Sequence, residues 1–351
     1  MSHFRLVSAS RNVIISPMLS KKIGIDLGTV NSIVYIKGRG VVLMEPTVVA
    51  ISEESRKVLA VGTEASKMLG RTPDDITALR PLRNGVIADY DITEVLLRYL
   101  INKAAGVSRF AKPDIVISIP VGATSVESRA VLDASYSAGA RNAYLVPEPL
   151  AAAIGAGLPI SQPTGNIIVN IGGGTTEIAV ISLYGIVVHG SLRVGGIDLD
   201  EAIVQHLRRK HGLVIGESTA EGVKINVGNA VLEPSNSILE VKGRDSVTGF
   251  PKIVEVTEEE INECFSVNLE KISMAIKDVL ENTPPELSAD ILDKGIVLSG
   301  GTAQLKNLDK YISNYIGVPV HVAEEPIMCV INGLGKVLDH LDEFSNSMIK
   351  R

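Results

Sequence analysis

From Lys22 onward the chain alternates short β-rich apolar runs with turn residues: IGIDLG, SIVYIKG, VVLM, TVVAI and KVLAVG follow one another before Thr63. The first helical period comes at Asp91 to Ala105, where Ile92, Val95, Leu96, Tyr99 and Leu100 recur at i, i+3, i+4, i+7 and i+8. That apolar face must pack on a sheet. Asp114 to Pro120, DIVISIP, is almost continuously apolar, as in a parallel strand covered on both faces. Thr124 with Glu127 then supplies a capping box for a helix to about Gly139. A strand over Ala143 to Val146 and a helix after Pro147 complete a strand, helix, strand, helix order, which predicts an α/β fold. Thr257 and Glu260 open another capped helix, with Ile261, Phe265, Leu269, Ile272, Ile276 and Leu280 on one side until Pro284 and Pro285 stop it. The stretch Glu233 to Pro251, rich in Ser, Gly and charge, reads as an exposed small subdomain, and Met44 and Met68 read as core filler.

The pattern restarts midway. Laying Asp26 on Asn170 aligns IDLGTVNSIVYI with VNIGGGTTEIAVI, each a strand, a glycine-containing turn and a second strand. The chain reads as an internal duplication, two similar lobes that each present a turn to a shared cleft. The expected organisation is an N-terminal extension at 1–22, lobe I at 23–160 with a small insert near 47–83, lobe II at 161–330 with an insert near 200–260, and a C-terminal helix at 331–351 returning to lobe I.

Length and composition narrow the picture. A chain of 351 residues predicts about two domains, and 45% apolar with 21% charged residues excludes a disordered or fibrous chain. The net charge is −6 and no dense basic patch occurs, which argues against a nucleic-acid partner. Cys264 and Cys329 stand far apart, so neither a disulfide framework nor a zinc site follows, and a reducing cytoplasm fits best. The six His are dispersed along the chain and read as structural or surface groups. No apolar run reaches the roughly 18–20 residues that span a bilayer. Residues 1–22 carry Arg5, Arg11, Lys21 and Lys22 among apolar residues and no acid. That composition suits an anionic membrane surface, and equally an unstructured terminus or a start at Met18.

Three turns at strand ends carry the candidate chemistry: DLGTVN (Asp26 to Asn31), NIGGGTT (Asn170 to Thr176) and LSGGTAQL (Leu298 to Leu305). Glycine removes the Cβ, so backbone N–H groups can converge on phosphate oxygens. Each turn alone is ordinary; three across two duplicated lobes are not.

On these turns the chain resembles the actin, Hsp70 and sugar-kinase ATPase superfamily, and within it the MreB family. The resemblance runs from about Ile23 to Leu338 through EPTVVAI, VGTEASKMLGRTP, RPLRNGVIADYD, PEPLAAAIGAGLP, GGGTTEIAVISL, TPPELSADILDKGIVLSGG and PVHVAEEP. It implies an actin-like (ribonuclease H-like) fold with a nucleotide cleft between lobes. By resemblance, Gly28, Thr29, Val30 and Asn31 form the first phosphate loop and Gly172, Gly173, Gly174 and Thr175 the second. Asp26 holds waters of a nucleotide-bound Mg²⁺, as suits a hard and largely hydrated cation. Glu148 orients the attacking water in ATP hydrolysis, a reaction governed by positioning and charge. Gly300, Gly301 and Thr302 belong to the adenosine pocket with Glu221 and Lys224, which share a helix face at i, i+3 and alternatively form a solvated ion pair.

Three departures accompany the resemblance. Asn170 stands where the family opens its second phosphate loop with Asp, Thr302 where a third glycine is usual, and Ile197 where an acid follows the glycine pair Gly195 and Gly196. Asn170 implies weaker Mg²⁺ binding and slow turnover, with nucleotide binding retained. The implied function is an ATP- and ADP-binding protein that polymerises with itself into filaments at the inner face of the cytoplasmic membrane. There it would work with the cell-wall elongation machinery to organise rod shape, slow hydrolysis serving as an assembly timer. The membrane segment would be residues 1–22 or the Val107 to Ala111 loop with Phe110. The alternatives are a degenerate paralogue that binds nucleotide with little hydrolysis, a chaperone ATPase, which normally carries a separate peptide-binding domain, and a sugar kinase, which needs a second substrate site.

Overall fold

The computed structural model describes residues 21–106, 112–232, 237–341, 344, 348 and 349. Of the two candidate membrane segments, 107–111 and all of 1–22 except Lys21 and Lys22 lie outside these. The first half of the chain comprises β1 (Lys22–Leu27), β2 (Asn31–Ile36), β3 (Gly40–Pro46), β4 (Val49–Ser52), β5 (Val58–Val61), α1 (Thr63–Ser66), β6 (Ile76–Leu79), β7 (Leu82–Arg83), β8 (Val86–Ile87), α2 (Tyr90–Ala105), β9 (Asp114–Ile119), α3 (Ser125–Ser137) and β10 (Asn142–Pro147). The second comprises α4 (Glu148–Gly155), β11 (Asn166–Ile171), β12 (Thr176–Ser182), β13 (Gly185–Leu192), α5 (Gly196–His211), β14 (Leu213–Val214), α6 (Glu217–Val227), β15 (Ile238–Asp245), β16 (Pro251–Thr257), α7 (Glu258–Glu281), α8 (Pro285–Lys294), β17 (Ile296–Ser299), α9 (Leu308–Ile316), β18 (Val320–Val322) and α10 (Cys329–Asp339).

The duplication is visible as topology. One five-stranded sheet has the order β10-β9-β1-β2-β3, the other β13-β12-β11-β17-β18. Read in one direction, each is an antiparallel three-strand meander followed by two parallel strands, so β1 corresponds to β11 and β9 to β17. Asp26 and Asn170 therefore occupy matching places near the ends of matching strands. Small sheets flank the two: β5-β4-β6 on the first lobe and β14-β15-β16 on the second.

Local signals set the helix starts. The Thr124 Oγ1 accepts from the Glu127 N–H at 3.2 Å while the Glu127 carboxylate accepts from the Thr124 N–H at 2.7 Å, completing the capping box of α3. At α7 the Thr257 hydroxyl accepts from the Glu260 N–H at 3.2 Å, but Glu260 does not reach back. Its Oε1 instead meets His206 Nε2 at 2.8 Å and His211 Nε2 at 2.6 Å. Two of the histidines, both on α5, thus have a structural role, converging on one acid from α7.

The layers run helix, sheet, helix pair, sheet, helix. Helices α2 and α3 cover the outer face of the first sheet through Leu96, Leu97, Leu100, Val131 and Leu132. Helices α5, α6 and α7 cover the second through Leu199, Ile203, Val223, Phe265 and Ile272. Between the sheets lie α4 and α10, packed with Ile33 and Val116 of one sheet and Ile168, Ala179 and Ile181 of the other. The two helices touch at backbone distance: a Cβ on Gly155 would stand 1.7 Å from the Cys329 carbonyl oxygen, and one on Gly333 would stand 1.8 Å from that of Ala151.

Two expectations need correction. Helix α10 packs on the first sheet but ends at Asp339 rather than continuing to 351, and beyond it a bridge between Ile349 and Leu145 adds to that contact. The described part of the Glu233 to Pro251 stretch, 237–251, is exposed or half-buried as expected, except for Val241 on β15, the central strand of its sheet, which is 2% exposed. Met44, on β3, is 42% exposed and fills no core, whereas Met68 packs on Val48, Ala50 and Ala65.

Candidate functional site between the lobes

The strand-end turns meet at one interlobe cavity of about 520 Å³. In the first turn a Cβ on Gly28 would stand 2.6 Å from the Asn31 carbonyl oxygen, so the hairpin closes only with glycine there. The Gly28 carbonyl accepts from the Thr47 hydroxyl at 2.7 Å and the Val30 carbonyl from the Thr47 N–H at 2.8 Å. Across a trans peptide the C=O of one residue and the N–H of the next point in opposite directions. Tying these carbonyls to Thr47 therefore turns the Thr29 and Asn31 N–H groups the other way.

The second turn is held in the same manner. The Gly172 carbonyl accepts from the Gly196 N–H at 3.0 Å and from the Thr302 hydroxyl at 2.8 Å, and the Gly173 carbonyl accepts from the Ile197 N–H at 2.8 Å. The following N–H groups, on Gly173 and Gly174, point away from α5. The two turns nearly interlock: a Cβ on Gly173 would stand 2.1 Å from Val30 Cγ2, and one on Gly174 would stand 2.8 Å from Thr29 Oγ1. In the third turn Gly300 has φ +89°, and a Cβ there would lie 2.3 Å from the Ile171 carbonyl oxygen.

Every residue singled out from the sequence lines this cavity: Asp26, Gly28, Thr29, Val30, Asn31, Glu148, Asn170, Gly172 to Thr175, Glu221, Lys224, Gly300, Gly301 and Thr302. Ile197, the third departure, lines it too. Two details differ from expectation. Lys224 does not pair with Glu221; its Nζ lies 2.9 Å from Asp200 Oδ2 and 2.9 Å from the Gly196 carbonyl oxygen. The Thr302 hydroxyl is spent on the Gly172 carbonyl, so this departure from glycine braces the second glycine turn.

Acids and amides form the cavity floor. The Asp26 Oδ1 accepts from the Ser118 hydroxyl at 2.8 Å, and burial outweighs that bond in pushing its carboxyl up to about 6. Glu148, the first residue of α4, is buried and accepts from Asn170 Nδ2 at 3.5 Å. Burial, then repulsion from Glu177 and Asp26, lift its carboxyl well above the usual range. Asn170 Oδ1 in turn accepts from the Ser299 hydroxyl at 3.1 Å.

Two further acids escaped sequence reasoning. Glu177, on β12, is pushed up to about 7 by burial, against hydrogen bonds from Ser191 and from the backbone N–H of Val121 and Gly122. Its bonds to the Ser191 hydroxyl of β13 at 2.7 Å and to the Val121 N–H at 2.9 Å tie β12 to its neighbour strand and to the loop after β9. Asp200, on α5, reaches about 6 for the same leading reason, with Lys224 opposing. A single acid on a strand or an amphipathic helix carries no spacing signal; tertiary packing supplies the partners, Lys224 of α6 for Asp200, and Ser191 of β13 with the Val121 N–H of the other lobe for Glu177.

The donor set fits a hydrated Mg²⁺. Asp26 gives one oxygen to Ser118, its side chain lines the cavity, and its desolvated carboxyl gains from a nearby cation. Among the described residues no group of three or more His, Cys, Asp or Glu forms a metal cage. A cation here would draw its other ligands from water and phosphate, as Mg²⁺ prefers.

Two sheets of one topology, a helix pair between them and a cleft closed by glycine turns define an actin-like protein. A sequence model of the MreB/Mbl protein family matches residues 20–346. The chain is 47% identical to the cell shape-determining protein Mbl of Bacillus cereus, over 95% of this chain and 100% of that one. It is 46% identical to the cell shape-determining protein MreB of Escherichia coli, over 93% and 95% of the two chains. The structure resembles MreB5 of Spiroplasma citri bound to AMPPNP with a TM-score of 0.89 at 34% identity, covering 94% of this chain and 99% of that one. The ADP-bound form of the same protein gives 0.88 at 34% identity, with the same coverage. A MamK double helical filament shares the fold alone, at 23% identity and a TM-score of 0.77, over 91% and 98% of the two chains. The chain belongs to the MreB/Mbl family.

Proposed function

We propose that this chain is a cell shape-determining, actin-like protein that takes ATP or ADP with Mg²⁺ into the interlobe cavity and polymerises head to tail with copies of itself. The observation that carries the reading is the convergence of three glycine turns from two lobes on one cavity, over a floor holding Asp26, Glu148 and Asn170. The first two turns bind the phosphates from opposite lobes, and the Gly300 turn with α5 and α6 holds the nucleoside. Mg²⁺, when bound, would neutralise phosphate charge, and Asp26 is the residue that would hold it, through water. Glu148 orients the water that attacks the γ-phosphoryl group. The support lies in relatives that carry the cell-shape names and in a structural relative bound to AMPPNP and to ADP.

The lobe boundaries at 23–160 and 161–330, with 331–351 returning to lobe I, belong to this reading. So do a peripheral position at the inner face of the cytoplasmic membrane and contact with the cell-wall elongation machinery. One observation favours the second reading, a paralogue that holds nucleotide with little hydrolysis: the amide of Asn170 replaces a charged acceptor and is already bonded to Glu148 and Ser299.

Calorimetric titration with ATP and ADP, with and without Mg²⁺, tests the site; sedimentation and negative-stain microscopy test assembly. The expected result is uptake of both nucleotides and filaments with ATP, while phosphate release divides the two readings. Folded protein that takes up neither nucleotide would overturn both.

A further inference from the structure

One side chain joins the first phosphate turn to the far wall of the cleft. Arg80, held between β6 and Pro81, donates through Nη1 to the Val30 carbonyl at 3.3 Å. The same guanidinium donates through Nε at 3.0 Å and Nη2 at 2.5 Å to Glu217 Oε1. Glu217 is the first residue of α6, whose later residues Glu221, Lys224 and Ile225 line the cavity. Arg80 and Val30 belong to the first lobe and Glu217 to the second, so the pair crosses the cleft beside the phosphate turn. The Arg80 side chain is 16% exposed and that of Glu217 41%, which leaves the pair partly shielded and still within reach of salt.

Building on the nucleotide-binding reading above, we propose that Arg80 is a positioning residue whose ion pair with Glu217 ties the cleft shut and sets the rate at which nucleotide leaves. Release requires the lobes to part, and parting must break this pair. Arg80 also donates to the Val30 carbonyl, which Thr47 holds within the same lobe, so the pair fastens the second lobe directly to the first glycine turn rather than to a remote part of the first lobe. A second interlobe pair, Arg193 with Glu127 at 3.6 Å, touches no phosphate turn and offers a control.

The test is stopped-flow release of fluorescent ADP and ATP analogues, chased with unlabelled nucleotide in Mg²⁺. Glu217→Gln and Arg80→Ala should each speed release by about 3- to 10-fold, the range expected of a partly exposed pair. Arg80→Ala/Glu217→Gln should be no faster than the faster single variant. The charge-reversed pair Arg80→Glu/Glu217→Arg should release more slowly than either of its single reversals, although the bond to Val30 is lost. Rising salt should speed release from the unaltered protein and leave Glu217→Gln flat. Release unchanged in the single variants, multiplicative effects in the double, or equal acceleration by Arg193→Ala would overturn the inference while leaving nucleotide binding intact. Unaltered protein that takes up no analogue would overturn the binding reading, and the tie with it.

Discussion

In the nucleotide-free protein the Asp26 carboxyl is pushed from 3.8 up to about 6, burial being the larger cause and the Ser118 hydroxyl opposing it. The sign of the linkage follows. An acid that holds its proton more tightly folded than unfolded costs nothing below its unfolded value of 3.8, and the cost grows as pH rises towards about 6 and is complete above it. A displacement of that size corresponds to about 3 kcal/mol. This is an upper bound, because Asp26 is partly open to water through the cavity. Asp26→Asn keeps the size of the side chain and an acceptor for Ser118 while removing the charge. Nucleotide-free, EDTA-treated Asp26→Asn should therefore unfold in urea with up to about 3 kcal/mol more stability near neutral pH, and with no gain at about pH 4. The same variant should lose the Mg²⁺-dependent part of its affinity for ATP. Equal stability of the two proteins at neutral pH, or an equal gain at both pH values, would refute the account of the desolvated carboxylate.

Asn170→Asp places a further acid beside Glu148, whose carboxylate lies 3.5 Å from the Asn170 amide nitrogen. It should raise phosphate release, and should lower the stability of the nucleotide-free form by about 1–3 kcal/mol through like-charge repulsion; unchanged phosphate release would remove the basis for calling Asn170 a brake. Gly333→Ala would put a Cβ 1.8 Å from the Ala151 carbonyl oxygen, with backbone on both sides and no side chain able to yield. About 1–3 kcal/mol of overpacking cost, or more, should appear as a lower melting temperature. Thr124→Ala breaks the α3 capping box and should cost about 1 kcal/mol in denaturant unfolding without changing nucleotide uptake.

Local signals that belong to one element were legible in the sequence. Thr124 and Thr257 marked two helix starts, the unbroken run from Asp114 marked a covered parallel strand, and Asp26 laid on Asn170 exposed the duplication that the two sheets repeat strand for strand. The glycine turns were legible because their requirement is local: Gly28 and Gly300 cannot carry a Cβ where they sit. What stayed hidden depends on elements far apart in the chain. Glu260 had the position of a capping acid, yet two imidazoles from α5 claimed its carboxylate. Lys224 had Glu221 one turn away but found Asp200 on another helix. Met44 carried an apolar side chain on a strand whose outer neighbour is solvent.

Most helix pairs mesh bulky ridges into grooves, which locks them at one crossing angle. Between α4 and α10 that meshing is interrupted at two places where main chain meets main chain, Gly155 on Cys329 and Gly333 on Ala151. A methyl group at either glycine would wedge the helices apart, so the gap between the two sheets is set by two missing side chains.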